Sequence, residues 1–260
     1  MPHRRHTVPA IVVTSGTILV GCGGHSGGTY YYYGGSGCAS YSACYPPDAL
    51  YRGTLGGDSS GQRTPVVAIF GNNGDGRMAA QDGTYYRLTL DAAGRALRGD
   101  LAGYSTDRAF ADGTRSTSGV VSGNVYPSGL DATVEDRQGN RESLSLQPTR
   151  EAGGPGQPIN GTWSYQTDGF GVGLTLRANG DLVAADSKGC MYKGSFSNTR
   201  TGEVYRVSYV RSCAGTIDQF SGYLAPVSAS QSGAPRVQVL ADDYGAQFLS
   251  IRSHERRRSL

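Results

Sequence analysis

Histidine is scarce in this chain and is absent from the region where a folded body is expected. The four histidines are His3, His6, His25 and His254, so none lies between residues 49 and 252. Nucleophilic catalysis by serine or cysteine commonly needs a histidine as proton acceptor, and histidine is a common zinc ligand. Unless a tail folds back onto the body, histidine-dependent chemistry is excluded. We therefore predict no catalytic residue, no metal site and no cofactor.

The body also lacks an excess of positive charge. The formal net charge is +3, but Arg4 and Arg5 lie near the start, and three arginines occupy 256–258. Residues 22–254 hold 19 basic and 20 acidic side chains. A protein that binds nucleic acid needs a basic surface to meet the phosphate backbone. We expect no nucleic-acid partner, and we interpret 256–258 either as a frayed tail or as a contact with anionic headgroups.

Long stretches of apolar residues at helical spacing are missing as well. Short alternating runs separated by turn dipeptides take their place, and glycine accounts for 40 of the 260 residues. Such alternation is typical of antiparallel β-strands that turn one face toward a core. The predicted fold class is therefore all-β.

Two parts of the chain resemble each other in sequence. Residues 88–97 and 174–183 each predict a strand, a turn that contains glycine, and a second strand. Three weaker matches keep the same order along the chain: 51–55 with 160–163, 98–101 with 193–196, and 122–125 with 221–224. We infer a degenerate duplication that produces two small antiparallel meander modules, each built as a barrel or a sandwich. A closed barrel would leave no strand edge open to aggregation.

Composition divides the chain into six segments. The Gly/Ser-rich stretch before the body is typical of a flexible tether, and the sequence EAGGPGQP between the two modules is typical of a linker. The predicted segments are a signal peptide at 1–21, a tether at 22–48, a first β module at 49–148, a linker at 149–158, a second β module at 159–252 and a basic tail at 253–260. Four tyrosines at 30–33 are interpreted as a contact with a membrane interface or the cell wall, or as a tether without a partner.

The first 22 residues end in a motif that resembles the lipobox of bacterial lipoproteins. A positively charged start precedes an apolar stretch over 8–20, which is too short to span a membrane. Leu19-Val20-Gly21-Cys22 then has the lipobox order of an aliphatic residue, a small residue, Gly or Ala, and the cysteine. The resemblance implies lipid attachment to the Cys22 thiol and cleavage before it. It also implies an outer-membrane anchor, because Gly23 replaces the Asp that often retains lipoproteins in the inner membrane. An ordinary secretory signal with a chance cysteine is the alternative.

Cysteine occurs five times. With Cys22 assigned to lipid, Cys38, Cys44, Cys190 and Cys213 remain. An even number in an exported protein predicts two disulfides, and three pairings are possible. The simplest pairing joins Cys38 to Cys44 and Cys190 to Cys213. Metal binding is the disfavoured alternative, because no CxxC spacing occurs.

The second half is similar to a region of β-rich proteobacterial lipoproteins. The matching features are Gly-Thr-Trp at 161–163, Gly-Cys-Met-Tyr-Lys-Gly at 189–194, a strand over 204–210, Cys213, and Ser-Gly at 221–222. This resemblance implies fold and location, and it implies no activity. Gly-Thr-Trp is also similar to the opening strand motif of lipocalins.

One polar motif resembles a calcium loop. Asn72-Asn73-Gly74-Asp75-Gly76 places oxygen ligands at close spacing, but the Glu that completes an EF-hand loop is missing. We interpret the motif as the tight turn of an added hairpin whose first strand covers 66–70.

The charged residues of the body offer few other candidate sites. Paired carboxylates hydrolyse glycosidic bonds without histidine, and Glu135-Asp136, Asp186 and Asp242-Asp243 are available. Adjacent strand residues point to opposite faces, so we interpret these carboxylates as solvated strand faces. Arg206 and Arg211 flank an apolar strand, and we predict that they block strand addition at a sheet edge, with anion binding as the alternative.

Together these observations predict a non-catalytic lipoprotein of the bacterial cell envelope, held to the membrane through Cys22. Its β modules would present a binding or structural surface to an unidentified partner. Three alternatives stay open. A small-ligand carrier would have a lined cavity inside a module, a carboxylate-dependent hydrolase would have two carboxyl groups about 5–10 Å apart in a cleft, and a periplasmic inhibitor or immunity-type lipoprotein would have an exposed apolar patch.

Overall fold

The computed structural model consists of antiparallel β-strands. It describes residues 48–57, 61–71, 74–105, 115–126, 128–149, 159–167, 169–199, 202–227, 236–243 and 248–255. These residues form sixteen strands and no α-helix, arranged as two eight-stranded meander sheets. The predicted all-β class with two antiparallel meander modules is confirmed. Cys22, Cys38, Cys44 and the arginine run at 256–258 lie outside the described residues.

The first sheet closes on itself. Its strands are β1 Ala49–Gly57, β2 Arg63–Phe70, β3 Asp75–Ala80, β4 Thr84–Ala93, β5 Ala96–Ser105, β6 Ser116–Tyr126, β7 Gly129–Asp136 and β8 Arg141–Pro148. Each strand pairs with the next, and β1 pairs with β8 over seven positions, from Tyr51–Pro148 to Gly57–Glu142. We call this sheet barrel 1.

The second sheet, barrel 2, follows the same meander but closes through a shorter seam. Its strands are β9 Gly161–Thr167, β10 Phe170–Leu176, β11 Asp181–Asp186, β12 Met191–Asn198, β13 Tyr205–Cys213, β14 Thr216–Val227, β15 Arg236–Asp242 and β16 Phe248–Glu255. The seam between β16 and β9 has two paired positions, His254–Ser164 and Glu255–Trp163.

Alternation of side chains explains why these runs form barrel walls. In β4, Leu88, Leu90 and Ala92 are buried while the residues between them face outward. In the predicted hairpin motifs the turns contain Gly94 and Gly180, whose φ angles are +65° and +88°. A left-handed backbone is unfavourable for other residues, so glycine at these two positions permits the tight connections β4–β5 and β10–β11.

Some of the repeated motifs occupy equivalent strands in the two barrels, and others do not. The matches at 51–55 and 160–163 belong to the first strand of each barrel, and those at 122–125 and 221–224 belong to the sixth. The hairpin motif, however, forms strands four and five of barrel 1 but strands two and three of barrel 2. The duplication therefore stays a prediction.

Side chains fill the interior of both barrels. Barrel 1 contains an aromatic pair, Tyr51 and Phe70, with ring centroids 5.4 Å apart, surrounded by aliphatic residues. In barrel 2, Tyr209 stacks on Phe220 at 5.1 Å and meets Tyr192 edge-on at 6.0 Å. A filled interior of this kind is a packed core.

One of the two predicted disulfides lies within the described residues and is confirmed. Cys190 and Cys213 are bonded, with their Cα atoms 4.4 Å apart. The bond joins the β11–β12 turn to the end of β13, and it thereby links two turns at one end of barrel 2.

Candidate functional site: a polar junction between the barrels

The two barrels pack against each other through residues that face outward from each barrel. The apolar part of this junction contains Leu50, Ile69 and Tyr85 of barrel 1, together with Tyr223 and Leu240 of barrel 2, all almost fully buried. Gly71 lets the chain approach the Tyr223 ring closely, because a Cβ atom there would overlap that ring. The junction therefore depends on a glycine in one barrel and an aromatic ring in the other.

A buried carboxylate lies at the centre of the polar part of the junction. Asp242 of β15 has no solvent-exposed surface and receives two arginines from barrel 1. Arg77 Nε of β3 lies 2.9 Å from Asp242 Oδ2. Arg87 of β4 donates from Nε to Oδ2 at 3.1 Å and from Nη2 to Oδ1. This two-pronged geometry is the one in which Arg binds carboxylates most specifically.

A second carboxylate extends the network in the opposite direction. Asp75 accepts a hydrogen bond from Arg77 Nη1 at 2.6 Å and another from the Tyr223 hydroxyl at 2.7 Å. The Arg77 guanidinium also lies 5.9 Å from the centre of the Tyr223 ring, a cation–π distance. Each barrel thus contributes both a charged or polar donor and an acceptor, and the network crosses the junction at more than one point.

Burial and charge fix the protonation states within this network. Burial lowers the pKa of Arg77, but the charges of Asp75 and Asp242 outweigh that effect and raise it above its usual value. Burial raises the pKa of Tyr85, and the charge of Asp242 raises it further. Burial and then Asp75 do the same to the pKa of Tyr223. The arginine therefore stays charged and the tyrosines stay neutral, which suits structural rather than acid–base work.

Two further carboxyl groups interact across the same junction. Asp48 precedes β1 and is buried, whereas Glu203 precedes β13 and is half-buried. Burial raises the pKa of Glu203, and the charge of Asp48 raises it further. The two negative charges repel each other when both groups are ionised. This repulsion destabilises the junction as pH rises and Glu203 loses its proton.

Two concavities lie on the outer wall of barrel 1, and neither is inside a barrel. One, of about 450 Å³, is formed by β4–β7 and includes Arg87, Asp100 and Glu135. The other, of about 420 Å³, is formed by β1, β2 and β6–β8 and has Ser and Thr side chains over much of its surface. Both are open grooves.

The first groove is relevant to the carboxylate-dependent hydrolase alternative. Asp100 pairs with Val120, and Val120 pairs with Glu135, so the two acidic residues lie two strand spacings apart, about 10 Å. Asp100 is exposed, and Glu135 accepts a hydrogen bond from Arg141 at 2.8 Å. Both carboxyl groups therefore lie in an open groove, and Glu135 is paired with Arg141 rather than with a second carboxyl group.

The interpretation of Asp242 as a solvated strand residue is wrong. The residue lies in a strand with burial on both faces, because barrel 1 covers the outer side of β15. Two largely apolar runs, VQVLA in β15 and GYLAPV in β14, were the signal for this, since a strand buried on both faces loses its alternation. The sequence contained no comparable signal for Arg77 or Arg87 as the partners.

Three of the other predicted carboxylates, Glu135, Asp136 and Asp186, have local partners. Glu135 is bound to Arg141, and Asp136 accepts hydrogen bonds from the backbone of Gln138 and Asn140 in the β7–β8 turn. Asp186 accepts hydrogen bonds from the Tyr192 hydroxyl at 2.7 Å and from two backbone amides of the β11–β12 turn. These residues stabilise turns.

The prediction that Arg206 and Arg211 protect a sheet edge is wrong. Both lie in β13, which pairs with β12 on one side and β14 on the other, so the strand has no free edge. Arg211 donates to Asp218 at 2.6 Å and lies 5.2 Å from the centre of the Phe220 ring. Its role is to tie β13 to β14.

Asn72 and Asn73 of the predicted turn lie outside the described residues, but the residues on either side of them are linked as in a turn. Gly71 donates its amide to the Asp75 carbonyl at 2.9 Å, and Gly74 has a φ of +70°. The Asp75 carboxylate serves the junction. Within the described ranges, no group of three or more His, Cys, Asp or Glu residues lies close enough together to hold a metal ion. The same ranges contain no helix with the length and apolar character to cross a membrane.

Comparisons with known proteins give little further information. No protein family matches the chain, and no curated protein sequence matches it. Two solved structures align with most of it. Aeromonas veronii immune modulator A is 12% identical, with 82% of this chain and 95% of that chain covered and a TM-score of 0.39. A protein named as a candidate outer membrane protein of Bacteroides fragilis is 9% identical, with 80% and 98% covered and a TM-score of 0.28. At these scores neither supports a conclusion about this chain.

Replacing the central carboxylate tests the importance of the junction. In Asp242→Asn, Arg77 and Arg87 would keep their charges without the buried counter-charge, so we expect unfolding free energy to fall by about 3–5 kcal/mol. Urea denaturation measures this. The control is Glu135→Gln, which removes the exposed pair with Arg141 and should cost less than about 1 kcal/mol. Equal, small losses in the two variants would contradict the structural role of Asp242.

The raised pKa of Glu203 predicts a pH-dependent stability. A carboxyl group whose pKa is higher in the folded chain stabilises the fold fully below its unfolded value, and that contribution is lost as pH rises through the folded pKa. We therefore expect Glu203→Gln to gain stability over the natural chain as pH rises above the ordinary pKa of 4.5. Thermal unfolding from acid to neutral pH measures the difference. A difference that does not change with pH would contradict the raised pKa.

Proposed function

We propose that this chain is a lipid-anchored protein of the bacterial cell envelope, in which the two barrels form a non-catalytic binding or scaffolding unit. The observation that carries the proposal is the filled interior of both barrels, together with the buried network that joins them. A barrel without interior space presents only its outer wall and its loops to other molecules. The proposed role therefore belongs to the outer surface.

The proposed address rests on the lipobox at Leu19-Val20-Gly21-Cys22 and on the disulfide. A bonded pair such as Cys190–Cys213 is typical of oxidising compartments, which include the periplasm and the cell surface. Acyl chains on Cys22 would give stable anchoring, since two or more chains hold a protein where one is marginal. Gly23 supports the outer membrane as the destination.

The carrier and hydrolase alternatives have less support. A carrier would need a lined interior cavity, but in the described part of each barrel aromatic and aliphatic side chains occupy the interior. Trp163, the tryptophan of the lipocalin-like motif, packs inside barrel 2 and donates its indole N–H to the Ile159 carbonyl at 3.4 Å. A hydrolase would use two carboxyl groups in a cleft, but the groove between Asp100 and Glu135 is open and Glu135 is already bound to Arg141 at 2.8 Å.

Intact-mass analysis of the membrane-extracted protein tests the proposed address. We expect a mature chain that begins at Cys22 and carries acyl chains, because the lipobox directs both modification and cleavage. On reduction the mass should rise by two hydrogens for each of two disulfides. The matched control is Cys22→Ser, which should give an unacylated chain.

Either of two results would overturn the anchor. An unacylated mass for the natural chain would show that the lipobox is not used. A chain that still begins at Met1 would show that no signal peptide is removed.

A further inference from the structure

Exposed apolar side chains cluster on one face of barrel 2. Of the four large hydrophobic residues that are exposed among the described residues, three are in this barrel: Met191 (48%), Val210 (40%) and Ile217 (75%). The fourth, Val120, lies on barrel 1. A single exposed aliphatic side chain is ordinary, whereas contiguous exposed apolar patches are found at protein and membrane interaction sites.

The strand register places these three residues around the exposed Ser212 on one face of the barrel wall. Met191 of β12 pairs with Ser212 of β13, and Ser212 pairs with Ile217 of β14, so the three side chains lie on the same face in adjacent strands. Val210 lies two residues before Ser212 and therefore shares that face. We name Met191, Val210 and Ile217 the apolar face.

Positive charge borders the apolar face. The chain has two lysines, Lys188 and Lys193, and both are exposed here. Lys193 pairs directly with Val210 in the register. Lys188 lies in the β11–β12 turn, with Nζ 5.7 Å from the centre of the Phe170 ring.

The acidic groups nearby are already engaged. Asp218 binds Arg211 at 2.6 Å, and Asp186 accepts hydrogen bonds from its own turn and from Tyr192. Asp218 and Asp186 are thus bound to other groups, and the two lysines give this face a positively charged border.

The disulfide fixes the shape of the apolar face. Cys190 immediately precedes Met191, and Cys213 immediately follows Ser212, so the bond joins the two strand ends that carry the face. A surface that is ordered before binding loses less conformational entropy when it binds.

We propose that the apolar face docks onto an anionic membrane surface, with its aliphatic side chains in the headgroup boundary and the two lysines against lipid phosphates. Such a pairing of apolar side chains with basic residues is characteristic of interfacial membrane binding. Protein interfaces instead favour aromatic anchors and are depleted in lysine. The inference rests on the proposed envelope location, and it assigns barrel 2 as the part that contacts lipid.

Docking would also orient the rest of the molecule. Barrel 1 is held to barrel 2 by the Asp242 network, so a membrane contact on barrel 2 would fix the direction in which the grooves of barrel 1 face. A lipid tether alone would leave that direction free.

Vesicle binding by the unacylated full chain tests the proposal. All proteins carry Cys22→Ser, so acylation does not contribute and the apolar segment at 8–20 is common to each. The probe is a vesicle of phosphatidylethanolamine and phosphatidylglycerol. We expect Ile217→Glu to weaken sedimentation with these vesicles about tenfold, because it puts a charge where an aliphatic side chain enters the boundary. Lys188→Gln with Lys193→Gln should weaken it at least tenfold, and only on anionic vesicles.

The matched control is Val120→Glu, which places the same charge at an exposed valine of barrel 1 and should leave binding unchanged. Circular dichroism should give all variants the thermal midpoint of the Cys22→Ser parent. Equal binding by Ile217→Glu and Val120→Glu would overturn the membrane face, and a protein partner would then be the alternative. Acylation of the natural chain is measured separately by mass, so failure of this inference is distinguishable from failure of the anchor.

The depth to which residue 217 enters the lipid bilayer gives a second measurement, which does not depend on loss of binding. Ile217→Trp adds an exposed indole, while the native Trp163 is buried inside barrel 2. Brominated lipids should quench the fluorescence of Ile217→Trp and leave that of Val120→Trp unchanged. Equal quenching in the two variants would contradict the proposal.

Discussion

The placement of Asp242 between Arg77 and Arg87 is the constraint on which the two-barrel arrangement depends. A fully buried carboxylate costs several kcal/mol in lost hydration, and only well-placed counter-charges offset that cost. Both counter-charges come from barrel 1, while the carboxylate comes from barrel 2. Sliding or rotating one barrel against the other would separate them and leave charges without partners. The network therefore adds little net stability but selects one docking of the barrels.

The packed interiors make the outer walls of the two barrels the candidate binding surfaces. Barrel 1 closes through seven paired positions and barrel 2 through two, and in the described part of each barrel aromatic and aliphatic side chains occupy the interior. The remaining candidate surfaces are the outer grooves of barrel 1 and the apolar face of barrel 2. These surfaces lie on different barrels. The Asp242 network therefore determines how a membrane bound to one surface and a partner bound to the other are oriented relative to each other.

Local features of the fold could be predicted from the sequence, because they depend on neighbouring residues. The alternation in 88–92, the glycine turns at 94 and 180, and the Cys190–Cys213 bond are each encoded within a short stretch. Asp242 could not be placed correctly, because its partner Arg87 lies 155 residues away and the adjacent pair Asp242-Asp243 resembles any solvated strand end. The largely apolar runs in β14 and β15 did indicate burial on both faces, although they did not identify the surface that covers them.

Equilibrium unfolding followed by two probes tests most directly whether the junction makes the barrels one cooperative unit. Trp163 is the sole tryptophan and lies inside barrel 2, so its fluorescence reports that barrel alone. Far-ultraviolet circular dichroism reports the strands of both barrels. Coincident urea transitions by the two probes are expected if the Asp242 network couples the barrels. A dichroism transition in two steps, only one of which follows Trp163, would show that the barrels unfold independently and would contradict coupling through the Asp242 network.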